Sequence, residues 1–93
     1  MMIGYLECDC LIYDAQSLKE KRAVLQRIIT RLKQRFNISI SEIGHQDVWQ
    51  RTKIGIVSLS SSKSITEKEL QKVLDYLDSF PEIERAETSL EWL

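Results

Sequence analysis

Ninety-three residues, 43% hydrophobic and 29% charged, fit one globular domain with a small core, which sets aside disorder, collagen-like repetition and a disulfide scaffold. No apolar run approaches the roughly 18 residues that span a bilayer and the first residues lack the apolar core of a secretory signal, so a single cytoplasmic domain over residues 1–93, with no membrane role, is expected. Thirteen Lys and Arg against fourteen Asp and Glu leave a net charge of -1, so bulk charge selects no polyanionic partner.

From Met2 to Tyr13 the even positions Leu6, Cys8, Cys10 and Ile12 are apolar while Tyr5, Glu7, Asp9, Leu11 and Tyr13 are mixed, the period of two of a half-buried strand. Ser17 precedes an apolar series at Leu18, Leu25, Ile28, Ile29, Leu32 and Phe36, and Ser17 with Glu20 forms a capping box, predicting a helix over 18–36. Alternation resumes at Ile38 and Ile40, then slips across Glu42, Ile43 and Gly44 as it does at a β-bulge. A connection over Asp47 to Arg51 leads into a second hairpin arm over Thr52 to Ser60, with Ile54, Ile56 and Ser58 on one face. The serine-rich stretch from Ser60 to Ser64 reads as a loop closed by a second capping box, Ser64 to Glu67. Leu70, Val73, Leu74 and Leu77 then form a helical stripe that stops at Phe80, because Pro81 disfavours the α conformation before it. Glu84 to Leu93 is read as the last strand, with Ala86, Thr88, Leu90 and Trp92 on one side.

The order βαββαβ predicts the α+β class: a ferredoxin-like sandwich of a four-stranded antiparallel sheet, order 4-1-3-2, with both helices on one face. Its expected core is Leu6, Cys8, Cys10, Ile12, Leu25, Ile28, Ile29, Leu32, Ile54, Ile56, Leu70, Val73, Leu74, Leu77 and Leu90.

Charge is unevenly placed. The first helix carries Lys19, Lys21, Arg22, Arg27, Arg31, Lys33 and Arg35 against Glu20 alone, whereas residues 64–93 carry eight carboxylates against Lys68, Lys72 and Arg85. At 100° per residue, Arg27 and Arg31 point away from the apolar stripe and Lys19, Arg22 and Lys33 follow one flank. Two readings stand side by side: a ridge that neutralises phosphates of structured RNA or a ribosomal particle, or a solvated helix back that meets acidic protein, a second copy in a homodimer included. Lys21 is the exception on the wheel, since its direction falls between Ile28 and Leu32 inside the apolar sector. It needs a counter-ion, for which Glu42 or Asp47 on the hairpin are the candidates, or it snorkels to water, or with Arg22 it holds an anion beside the helix N-terminus.

Cys8 and Cys10 stand on one strand face too far apart for an easy disulfide and have no companion thiols, so they read as small core residues. With His45 the only histidine, no nucleophile in a strained turn and no glycine-rich phosphate loop, the expectation is a non-enzymatic protein with no catalytic residues, cofactor or metal. The outer sheet face, with Tyr5, Glu7, Asp9, Leu11, Tyr13, Val57, Leu59, Glu87 and Glu91, lacks stacking aromatics on its third strand and suits a protein contact better than bases.

The segments Gly4-Tyr5-Leu6, Ser17-Leu18-Lys19-Glu20-Lys21-Arg22, Phe36-Asn37-Ile38-Ser39-Ile40-Ser41-Glu42 and Asp47-Val48-Trp49-Gln50-Arg51 before Gly55 resemble the YlxP-like family of small bacterial proteins, a domain of unknown function. The resemblance covers essentially the whole chain and implies a ferredoxin-like fold and a bacterial cytoplasmic setting, often among translation and ribosome-maturation genes, with no activity attached. The positions that match are Ser17, Leu18, Lys19, Lys21, Arg22, Glu42, Asp47, Gln50 and Arg51. Combined with the charge map, the candidate anion or partner-binding set is Lys19, Lys21, Arg22, Arg27, Arg31, Lys33, Glu42, Asp47, Gln50 and Arg51, with RNA or a ribonucleoprotein as the first expected partner and a homodimer or other protein as the alternative.

Overall fold

A computed structural model describes residues 1–93. Strands β1 (Met2–Ile12), β2 (Ser39–Gly44), β3 (Arg51–Ser60) and β4 (Ile83–Trp92) alternate with helices α1 (Leu18–Arg35) and α2 (Lys63–Asp78) in the expected order. The sheet runs β2-β3-β1-β4, every pair antiparallel, which is the order 4-1-3-2 read from the other edge. Pairing Leu6 with Ile56, Cys8 with Ile54 and Cys10 with Thr52 puts the apolar sets of β1 and β3 on one face, where α1 and α2 cover them. That is the ferredoxin-like sandwich.

α1 starts where the sequence places it. Ser17 is extended and its Oγ accepts from the Glu20 amide at 3.1 Å, while the Glu20 carboxylate reaches one residue further back, to the Gln16 amide at 2.7 Å. α2 begins two residues earlier than the Ser64 capping box predicts. The serines before it form their own turn: Ser60 Oγ accepts from the Ser62 amide and shares a 2.6 Å hydrogen bond with Thr66 Oγ1, which leaves Ser62 extended and capping the Ile65 amide. The helix also ends two residues short of Phe80, which folds into the core beside Tyr76, the rings meeting edge to face at 5.3 Å.

The larger difference is in β4. Its register shifts between Cys8 and Cys10, so that Thr88 faces Cys8 but Arg85 faces Cys10, and Ala86 falls in the irregularity and is exposed. Leu90, an expected core residue, is 43% exposed because β4 is an edge strand with a neighbour on one side only. Ile29 is half-buried. The other thirteen expected core residues are buried, joined by Ala15, Ile40, Phe80 and Ile83. Gly4 lets α2 approach the sheet, since a Cβ there would stand 2.7 Å from Leu70 Cδ1.

Candidate functional site

Lys21 is the largest fully buried side chain of the molecule, 0% exposed. One turn into α1, it runs down the apolar stripe to the sheet end and places its ammonium 2.9 Å from Glu42 Oε2 and 2.6 Å from the His45 carbonyl oxygen. The same Glu42 oxygen accepts from Thr52 Oγ1 at 2.6 Å, so a single carboxylate oxygen serves a cation and a buried hydroxyl. The bulge between Glu42 and Gly44 makes this geometry, and His45 follows in a left-handed conformation with φ of 58° that aims its carbonyl back at Lys21. Burial without such partners would be prohibitive for an ammonium.

The structure therefore corrects the expected cluster in three respects. Lys21 does not snorkel to water; its counter-ion is Glu42 and not Asp47, which is exposed in the hairpin loop; and Arg22 points to solvent with no carboxylate partner. Asp47 fails to join because the left-handed turn at His45 carries the chain away from α1. Two groups that sequence reasoning passed over complete the site, Thr52 and the His45 carbonyl. The first is signalled by a threonine on the core side of β3; the second, a backbone atom in an unusual conformation, leaves no trace in residue type.

The hairpin loop is also bound to the end of β1 and to the connection that leads into α1. The Ile12 amide donates to the Gln50 carbonyl at 2.9 Å and Gln50 Nε2 donates to the Ala15 carbonyl at 3.4 Å. Trp49 and Val48 remain exposed at its tip, and Arg51 stands exposed at the start of β3.

α1 splits into two basic flanks once α2 is in place. Arg27 pairs with Glu82, Arg31 lies over the Phe80 ring at 5.9 Å, and Arg35 lies over Tyr76 at 4.6 Å and over Phe36 at 6.0 Å. Arg27 and Arg31, expected to point away from the apolar stripe toward a partner, are thus engaged by the loop after α2, and Arg35 by α2 itself. The Arg27–Glu82 pair lies in the lining of the open groove between α1 and Pro81. Lys19, Arg22 and Lys33, on the flank turned away from α2, are exposed and have no ion-pair partner.

Across the sheet, the outer face divides into halves. In one, Lys53 pairs with Glu7 at 3.2 Å, and Asp9 Oδ1 draws His45 Nε2 to 3.3 Å and Arg51 to 4.0 Å, so acid and base cancel locally. Burial, then its hydrogen bond to Glu7, raises the Tyr5 hydroxyl above its ordinary pKa. In the other half Ile3, Tyr5, Val57, Leu59 and Ile43 lie together, Ile43 resting on Gly55. On the core face Cys8 and Cys10 are free, buried thiols, and burial pushes Cys10 up to about 12, far from a nucleophilic thiolate. At the far edge Arg85 clamps Asp78 through two 2.9 Å hydrogen bonds, which hold the Asp78 carboxyl below its usual range. No helix is long and apolar enough to cross a membrane.

These features define a small ferredoxin-like α+β domain with a buried lysine–glutamate pair at one sheet end. The family model described as "Protein of unknown function (DUF503)" matches residues 3–90, and the chain belongs to that family. The protein named "Uncharacterized protein YlxP" of Bacillus subtilis (strain 168) is 67% identical over 91 residues, covering 98% of this chain and 99% of the relative. Among solved structures, a de novo designed protein with a ferredoxin fold, determined by solution NMR, superposes with a TM-score of 0.52 at 10% identity over 100% of this chain and 84% of the other. That likeness concerns the fold alone.

Proposed function

We propose that this protein is a non-enzymatic RNA-binding accessory factor of translation or ribosome maturation, which grips phosphates through the α1 flank formed by Lys19, Arg22 and Lys33. The observation that supports it is the division of α1. Of six exposed basic side chains, three are engaged by an ion pair or by the rings of Tyr76 in α2 and Phe80 in the loop after it, and the three on the opposite flank have no ion-pair or ring partner within the molecule. Long cations gathered on one flank with no internal carboxylate are the arrangement that releases counterions on meeting a polyanion. At 1.5 Å rise per residue, Lys19 to Lys33 extends over roughly 21 Å, long enough to touch several successive phosphates. The translation setting comes from the family resemblance.

Fluorescence anisotropy of a labelled RNA hairpin titrated at several salt concentrations tests this. The expected result is a linear fall of log K with log salt, and a slope shallower by about two to three in the Lys19→Ala/Arg22→Ala/Lys33→Ala triple variant. Arg27→Ala should leave the slope unchanged. Absence of binding at low salt overturns the reading.

A second reading, with no nucleic-acid contact, rests on the apolar half of the outer face: a homodimer in which Ile3, Tyr5, Val57, Leu59 and Ile43 meet their equivalents. The whole sheet, with strands 6 to 11 residues long spaced about 4.8 Å, presents roughly 600 Å² and its apolar half roughly 300 Å², well below the roughly 800 Å² per partner of a standard interface. Sedimentation equilibrium of the wild type and Leu59→Lys decides it: a dimer that Leu59→Lys dissociates supports it, and a wild-type monomer removes it.

A further inference from the structure

We propose that Trp49 is a stacking platform for an unpaired base, so that the RNA taken by this protein is single-stranded or looped rather than continuous duplex; this rests on the RNA reading above and names its ligand class. Trp49 is 50% exposed at the tip of a short hairpin loop, and Val48 beside it is 43% exposed. The other tryptophan, Trp92, is half-buried with the Lys63 ammonium 5.3 Å over its ring. Trp49 has no ring or cation against it.

Its backbone is not loose. Lys21 Nζ holds the His45 carbonyl on one side of the loop, and Ile12 and Ala15 hold Gln50 on the other. A large indole is thus presented from a fixed frame, which lowers the entropy lost when a ligand covers it. The Lys21 contact ties the loop to the first turn of α1, where Lys19 and Arg22 are exposed, and Arg51, exposed although its guanidinium lies 4.0 Å from Asp9, follows two residues after Trp49. Asp47 is the loop's only carboxylate and is exposed. An exposed aromatic face on a loop tied to a helix turn that carries exposed cations is a combination suited to single strands, the ring taking a base and the cations its phosphates. Within a duplex the base faces are already stacked, so an indole has nothing to stack on.

The test uses the full chain with Trp92→Phe, which leaves Trp49 as the only fluorophore of its kind. A single-stranded RNA about 12 nucleotides long and the blunt duplex of the same sequence are titrated in parallel. The single strand should quench Trp49 and bind more tightly than the duplex. Trp49→Ala should weaken single-strand binding about tenfold or more without changing the salt slope, and Trp49→Phe should restore most of it. Circular dichroism should show both variants folded, because the ring is exposed. If RNA binds but Trp49→Ala binds it equally well, or duplex and single strand bind alike, the stacking proposal is overturned while the RNA reading stands. If neither RNA binds, both are overturned, and the exposed indole belongs to a protein contact.

Discussion

Replacing Lys21 by Met keeps the length and apolar stem of the side chain and removes only the ammonium, so it isolates what the buried charge contributes. Two charge-assisted hydrogen bonds disappear, at 2.9 Å to Glu42 and 2.6 Å to the His45 carbonyl. Stripping one partner from a fully buried ion pair costs about 3 to 5 kcal/mol, because the other charge is stranded. Here the stranded group is only partly in that position: the Glu42 side chain is 19% exposed and keeps the Thr52 hydroxyl, so part of its hydration returns. Discounting for this leaves about 2 to 3 kcal/mol, the loss falling on the bare His45 carbonyl and the half-wet carboxylate. In a domain of this length that lowers Tm by roughly 8 to 24 °C. Urea melts at neutral pH, with the m-value checked for constancy, measure it directly. Adding Glu42→Leu to Lys21→Met should recover part of the loss, since removing both ends leaves no unpaired charge, although Thr52 and His45 keep groups without partners. A loss below about 0.5 kcal/mol for Lys21→Met, the range of an ordinary surface change, would refute the reasoning by showing that the ammonium is served by water and not by the pair.

Leu25, 4% exposed on the buried stripe of α1, should cost about 2 to 5 kcal/mol as Leu25→Ala, and denaturant melts showing less than about 1 kcal/mol would place the wrong helix face inward. Gly4→Ala puts a methyl 2.7 Å from Leu70 Cδ1 and 3.1 Å from Thr66 Cγ2; repacking of the flexible leucine limits the cost to about 1 to 3 kcal/mol, and an unchanged melting curve would mean that α2 does not sit so close. The raised Cys10 thiol gives a pH dependence with a definite sign: its contribution is complete below the unfolded thiol value of about 8.5 and is lost as pH rises toward the folded value of about 12. Stability should therefore fall with pH over that interval, and Cys10→Ala should flatten the fall; an equal slope in the variant would assign it to other groups.

What could be read from the sequence, and what could not, divides along physical lines. The two helices and β1 were legible because a buried stripe repeats with a fixed period, and Lys21 could be singled out because a cation between Ile28 and Leu32 on the wheel has few ways to exist. Glu42 was reachable by the same logic, since a strand pairing brings it to that end of the sheet. That Asp47 stays out of the Lys21 pair is not legible, because the left-handed backbone at His45, in a residue that is not glycine, redirects the loop without any residue type announcing it. The start of α2 is not legible in the sequence, because several serines compete to cap one helix and only their mutual hydrogen bonds choose Ser62. β4 keeps the expected alternation over Thr88, Leu90 and Trp92 and departs from it only at Ala86 and Arg85, because a register irregularity belongs to a strand pair and neither strand alone contains it. The charge on α1 is the most instructive case. The wheel separates Lys19, Arg22 and Lys33 on one flank from Arg27 and Arg31, which point away from the apolar stripe, but nothing local tells which group the rest of the chain will engage. The distinction arises when α2 brings Tyr76, and the loop after it Phe80 and Glu82, to one side and these engage the nearer three. A polyanion competing for those three must first displace partners already in contact with them, whereas the far flank pays only the entropy of ordering its own side chains. Any RNA affinity of this domain should therefore be concentrated in Lys19, Arg22 and Lys33, and it is their removal, not the loss of charge from the helix at large, that the salt dependence will register.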